Sequence, residues 1–158
     1  MRNNILVKLS GDTIDLTDEQ VTWLKVLSVK SHVVIVVGGG TQINDAFKKA
    51  GYEVKPFGPM GREHASFEER QLARNVLEKN QAELQDRLLG LDMHLTVEIP
   101  VVQIGSVLCH VNGDDFAKYA YNGFDKIYIV TKAGARADMK KEIFQNLPKV
   151  SIKTFETL

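Results

Sequence analysis

The 158-residue sequence is sparing in the features that mark several protein classes. It has one cysteine, which excludes a disulfide framework and a multi-cysteine zinc site. Its 20 Lys and Arg residues balance 20 Asp and Glu. It therefore lacks the basic excess of a nucleic-acid binder, and no nucleic-acid partner is expected. The longest apolar run, Val33 to Val37, falls far short of the roughly 18 residues of a membrane helix, so no membrane span is expected. No apolar segment of signal-peptide length precedes Ile5, which with the lone thiol predicts a cytoplasmic protein. The four histidines show no metal-ligand spacing, and neither His-Glu-x-x-His nor Gly-x-Ser-x-Gly occurs, so no metal held by side chains is expected.

What remains is the composition of a globular domain, 44% hydrophobic and 25% charged. The length predicts a single domain over residues 1–158. Ile5–Leu9 reads as a strand, and Thr17 or Asp18 can cap a helix to about Val29 with Val21, Leu24, Val26 and Leu27 facing inward. His32–Val37 is the run expected of a strand buried on both faces. After Gly38-Gly39-Gly40, Thr41 can cap a helix that stops at Gly51. Tyr52–Lys55 reads as a short strand, and the prolines and glycines from Pro56 to Gly61 read as a loop. Ser66 to Leu89 reads as a helix of about 35 Å. Its length and its apolar Leu77, Leu84 and Leu88 predict a homodimer interface.

Leu95–Val97 and Val101–Val107 read as strands separated by Pro100. Asp114–Tyr121 reads as a helix, Lys126–Val130 as a buried strand, Asp138–Gln145 as a helix and Val150–Phe155 as an edge strand. The alternation predicts an α/β fold, a three-layer αβα sandwich around a mostly parallel sheet. A ligand site then lies at the carboxyl ends of the strands, among Ser10–Asp12, Gly38–Thr41, His110–Asp114 and Thr131–Gly134.

The glycine triplet is the strongest local signal. Glycines at a helix start leave backbone N–H groups open to an anion, although they also serve a tight strand-to-helix turn. Lys8 in an apolar strand is either a lysine reaching water at the strand end or a cation over a bound phosphoryl group. Asp114 and Asp115 suit a helix N-cap or a carboxylate that orients lysines or a metal. Arg62 is either a solvated loop residue or a carboxylate clamp. His110 reads as a half-buried packing residue or a general base, and Cys109 as a buried, inert thiol rather than a nucleophile.

Several motifs, taken in order, resemble the amino acid kinase family, and within it the acetylglutamate kinases. Lys8-Leu9-Ser10-Gly11-Asp12 is similar to the family's opening K-x-G-G-S. Val33 to Asn44, with its glycine triplet, is the most specific match. Gly61-Arg62, Ile99-Pro100-Val101-Val102, His110-Val111-Asn112-Gly113-Asp114 and Ile129 to Gly134 follow in the family's order. The resemblance implies Lys8 and Asp114 as catalytic residues. It implies substrate contacts from Gly11, Gly38, Gly39, Gly40, Arg62, His110 and Asn112, and nucleotide contacts from Thr131, Lys132 and Gly134. It further implies ATP with Mg2+, a small anionic metabolite carrying carboxylate or phosphate, and dimerisation through the helix 66–89. The chain departs from the pattern at Ser10, Asp12, His110 and Lys132. Only 24 residues follow Gly134, enough for one helix and one strand, which implies a truncated nucleotide lobe. Lys149 and Lys153 are the candidates for a second lysine in that stretch. The alternative expectation is a non-catalytic domain that binds a small anion or mediates dimerisation.

Overall fold

The computed structural model describes residues 2–59, 61–64 and 66–154. Five parallel strands form one sheet in the order β3 (Thr96–Glu98), β2 (Ser31–Val37), β1 (Asn3–Leu9), β6 (Lys126–Thr131), β7 (Val150–Thr154). β7 is an edge strand, as expected; Phe155, the last residue of its predicted range, lies outside the described residues. The helices are α1 (Asp18–Lys30), α2 (Gly40–Ala50), α3 (Phe67–Gly90), α4 (Gly113–Tyr119) and α5 (Ala135–Phe144). They cover both faces, completing a three-layer αβα sandwich.

The period of two in the strands decides which side chain faces which layer. Ile5, Val7 and Leu9 of β1 join Val33, Ile35 and Val37 of β2 under Leu24 of α1 and Leu84 and Leu88 of α3. Leu6 and Val36 point the other way, with Ile127 and Ile129 of β6, toward Ala117 of α4 and Phe144 of α5. A third cluster joins Ile43 and Phe47 of α2 to Ala73 and Leu77 of α3. By the same alternation Lys8 and Thr131 belong to the α4–α5 side of the sheet.

Local signals set the helix ends. Thr17 and Gln20 form a reciprocal capping box at α1, and Ser66 caps α3 by accepting from the Glu69 N–H. Gly51 ends α2 in the left-handed region, with φ 78°. Gln85 of α3 bonds the Leu95 carbonyl and the Val97 N–H, and Gln81 bonds the Val97 carbonyl, so helix side chains complete the hydrogen bonding of the edge strand β3.

Several expectations are corrected. Val26 is exposed, because the inner face of α1 is centred on Leu24 with Val21 and Leu27 beside it. Tyr52–Lys55 forms no strand; Tyr52 and Val54 instead pack beside the α2–α3 cluster. Val101–Val107 is not one strand, because Gly105 at φ 61° turns the chain into a hairpin of β4 (Val101–Ile104) and β5 (Val107–His110). The helix expected from Asp138 begins at Ala135, after Gly134. Gly39 rather than Thr41 is the N-cap of α2. Leu77, Leu84 and Leu88 of α3 are fully buried within the chain's own core. Among the described residues no helix is long and apolar enough to cross a membrane.

Candidate functional site

A cavity of about 450 Å³ opens where β1, β2 and β6 end. Its walls carry Lys8, Arg62, Arg136 and Lys140 against Asp12 and Asp114, four cations and two carboxylates. A chain of zero net charge thus gathers an excess of two positive charges in one cavity. Five buried side-chain atoms on these walls have no hydrogen-bond partner: Ser10 Oγ, Asn44 Oδ1, Arg62 Nη1, Asp114 Oδ1 and Thr131 Oγ1. Leaving a buried polar group unpaired costs about 1–3 kcal/mol, so these atoms offer hydrogen-bonding capacity to water or to a ligand.

Lys8 leaves the sheet toward α4, where its Nζ lies 3.5 Å from Asp114 Oδ1. The other oxygen of Asp114 accepts from Lys140 Nζ of α5. All three are nearly excluded from solvent, with side-chain exposures of 9% for Lys8, 4% for Asp114 and 13% for Lys140. Burial pushes the Lys8 pKa down, opposed by Asp114. Burial also penalises the Asp114 carboxylate, but the two lysines outweigh it and hold its pKa below the usual carboxylate range. A Cβ on Gly113 would sit 2.9 Å from Lys8 Cε, so glycine at that position admits the lysine stem beneath the first turn of α4.

Asp114 is therefore not the helix cap. Asn112 caps α4, its Oδ1 accepting from the Asp114 N–H, while Asp115 pairs with Lys118. Lys140 escaped the reading of the sequence. Its signal lies in the spacing of Ala137, Lys140 and Phe144, at i, i+3 and i+7, which places it on the inner face of α5. The two lysines considered instead serve elsewhere. Lys149 donates to the carbonyls of Tyr121 and Phe124, and Lys153 lies in the edge strand β7.

The glycine triplet divides its roles. The Gly38 N–H is already bonded to the Leu9 carbonyl at 3.1 Å and is not available to a ligand. A Cβ on Gly39 would meet Asn80 Nδ2 at 3.0 Å and Leu77 Cδ2 at 3.1 Å, so this glycine serves contact with α3. Gly40 faces open space and begins α2, where the first N–H groups lack intrahelical acceptors. Gly11 lines the same cavity from the β1 loop.

Arg62 reaches the cavity from the loop before α3. Its Nη2 lies 3.5 Å from the Gly40 carbonyl, and its guanidinium covers the Phe57 ring at 4.9 Å. His110 is half-buried, as expected, and stacks on His64 with 5.4 Å between ring centroids and 15° between planes. Its Nδ1 lies 3.1 Å from His64 Nε2. Burial, with His64 and Arg62 adding to it, pushes the His110 pKa down to about 4. Cys109 beside it is only partly buried on the hairpin, between exposed Leu108 and His110, which corrects the expectation of a buried thiol.

No family model and no curated protein matches the chain. What the site can do therefore rests on its own donors. Asp12 accepts from Arg136 at 3.1 Å, and Thr41 and Arg136 hold its pKa low against the effect of burial. Both cavity carboxylates are thus already engaged by cations. Among the described residues no group of three or more His, Cys, Asp or Glu side chains is placed to hold a metal ion. Of the three residues expected at a nucleotide, Thr131 lines the cavity, whereas Lys132 and Gly134 are exposed and stand off its wall.

Proposed function

We propose that the cavity binds a small metabolite bearing phosphate or carboxylate groups and serves phosphoryl transfer to it, in the manner of the amino acid kinases the sequence resembles. The observation that carries this reading is the buried Lys8–Asp114–Lys140 cluster on a cavity with an excess of two positive charges. Phosphoryl transfer demands little covalent chemistry from a protein. It demands positioning and the neutralisation of charge on the group in flight. Lys8 and Lys140 are placed to supply that charge from a water-poor site. Asp114 restrains both ammonium groups and opposes the loss of the Lys8 proton by burial. The open N–H groups at the start of α2 and Arg62 are placed to hold the acceptor's oxygens. ATP is the donor in this reading, and a cytoplasmic setting fits the single unpaired thiol.

Lys132 and Gly134, which stand off the cavity, favour a second reading: binding of an anion without transfer. Labelled ATP with magnesium and a panel of small acids, N-acetylglutamate among them, decides between the two. Transfer predicts a labelled product that falls roughly 10²–10³-fold in Lys8→Ala. Anion-dependent rises in melting temperature without product support binding alone. If no anion shifts the melting temperature at millimolar concentration, both readings fail.

A further inference from the structure

We propose that His64 and His110 form a proton-accepting pair, which takes up one proton when a dianion enters the cavity. The inference rests on the anion-binding reading above and adds to it a pH-dependent binding element. His110 lines the cavity, whereas His64 stands behind it, linked through the 3.1 Å contact between His64 Nε2 and His110 Nδ1. Two nitrogens that close share one hydrogen, so one ring donates and the other accepts. The near-parallel stack fixes both rings, and Phe47 of α2 packs on His64 at 5.6 Å between centroids. His64 Nδ1 is buried without a partner.

Burial is the largest influence on the protonation of the pair, and the charges around it add to that influence. Arg62 acts on both rings, and Arg70 of α3 acts on His64 in the same sense, whereas Glu69 acts on His64 in the opposite sense. The other charged cavity residues, Lys8, Asp12, Asp114, Arg136 and Lys140, come from β1, its following loop, α4 and α5. With the cavity empty, cations and burial together keep the pair neutral. A dianion beside Arg62 reverses that balance, because it neutralises the guanidinium and attracts a proton to the imidazoles. The bound state then holds more protons than the free state. By linkage, affinity must rise as the pH falls, by up to about tenfold per pH unit for one proton, from the pKa of the complex down to about 4, the free value for His110.

Sulfate is a suitable probe, because it remains a dianion throughout this range. Titration calorimetry at about pH 8 and about pH 5, in buffers of different ionisation heat, reads affinity and proton uptake together. Wild type is expected to bind sulfate at least about tenfold tighter at the lower pH, with close to one proton taken up. His110→Asn is expected to lose that uptake. Imidazole resonances of the wild-type protein provide a check free of substitution: the pair should titrate at higher pH with sulfate than without it. Sulfate binding with no proton uptake, or the same uptake in His110→Asn, would overturn the inference while leaving the cavity reading intact. Failure of the wild type to bind sulfate at either pH would overturn both.

Discussion

Replacing Asp114 by Asn keeps the size of the side chain and removes its charge. Two ammonium groups then face each other with no carboxylate between them, at sites where solvent has little access. Removing one partner of a buried ion pair costs about 3–5 kcal/mol, because the remaining charge stays desolvated. In a chain of this size each kcal/mol lowers the melting temperature by about 2–4 °C, so Asp114→Asn should lower it by about 10 °C. Lys140→Met is the informative contrast. It leaves Lys8 and Asp114 as a balanced pair and should cost no more than about 1–2 kcal/mol.

The pH dependence separates this account from a simple packing defect. In the wild type the Asp114 pKa is depressed on folding. Its stabilisation is therefore complete above its unfolded pKa of about 4 and is lost as pH falls through the lower folded value. In Asp114→Asn, Lys8 loses the carboxylate that opposed desolvation, and its pKa falls further below the ordinary 10.5. Between that folded value and 10.5 the unfolded chain binds more protons than the folded one, so the variant gains stability as pH rises. Urea unfolding followed by circular dichroism, at neutral pH and near pH 9.5, measures both effects. A loss below about 1 kcal/mol, an equal loss in Lys140→Met, or the absence of alkaline recovery would refute the paired cluster.

Gly40→Val should abolish anion-induced melting shifts while leaving the fold intact, whereas Gly39→Val should destabilise by about 1–3 kcal/mol through its collision with Asn80 and Leu77; comparing melting and ligand shifts in the two variants tests the assignment. Leu84→Ala should cost about 2–5 kcal/mol by denaturant titration, because Leu84 is fully buried in the core. Gly113→Ala should displace the Lys8 stem and reduce anion affinity more than stability, a split that melting and calorimetry resolve.

Much of the layer order was legible because hydrophobic period and turn chemistry agree along most of the chain. Lys8, in a strand of alternating faces, could be assigned to one side of the sheet from its even position between Val7 and Leu9. The glycine triplet marked the strand-to-helix turn. Its division of labour was not legible, since the side chains that crowd Gly39 come from Leu77 and Asn80, on a distant helix. The same limit hid Lys140. A lysine followed by Lys141 on a charged helix reads as solvated until the helix start is fixed at Ala135, and that start depends on Gly134 at φ 84°. Asp114 remained ambiguous between cap and cluster because both roles suit an aspartate near a helix start; the structure gives the cap to Asn112. His64 was overlooked because its partner His110 is 46 residues away.

The central position of β1 governs the order in which the molecule can assemble. Its pairing with β2 joins segments linked through a single helix. Its pairing with β6 closes a loop of 121 residues, where Asn4 and Asp125 exchange backbone and side-chain hydrogen bonds. Loop-closure entropy makes the longer pairing the later one. Until it forms, Lys8 has neither Asp114 nor Lys140 beside it and keeps its water. The chain is thus free to collapse around β1 and β2 with its lysine hydrated, and desolvation of the charge coincides with the arrival of its partners. A ribosome releasing the chain from its amino terminus imposes the same sequence of events, because β6 and α5 emerge after the rest of the cavity wall has been made.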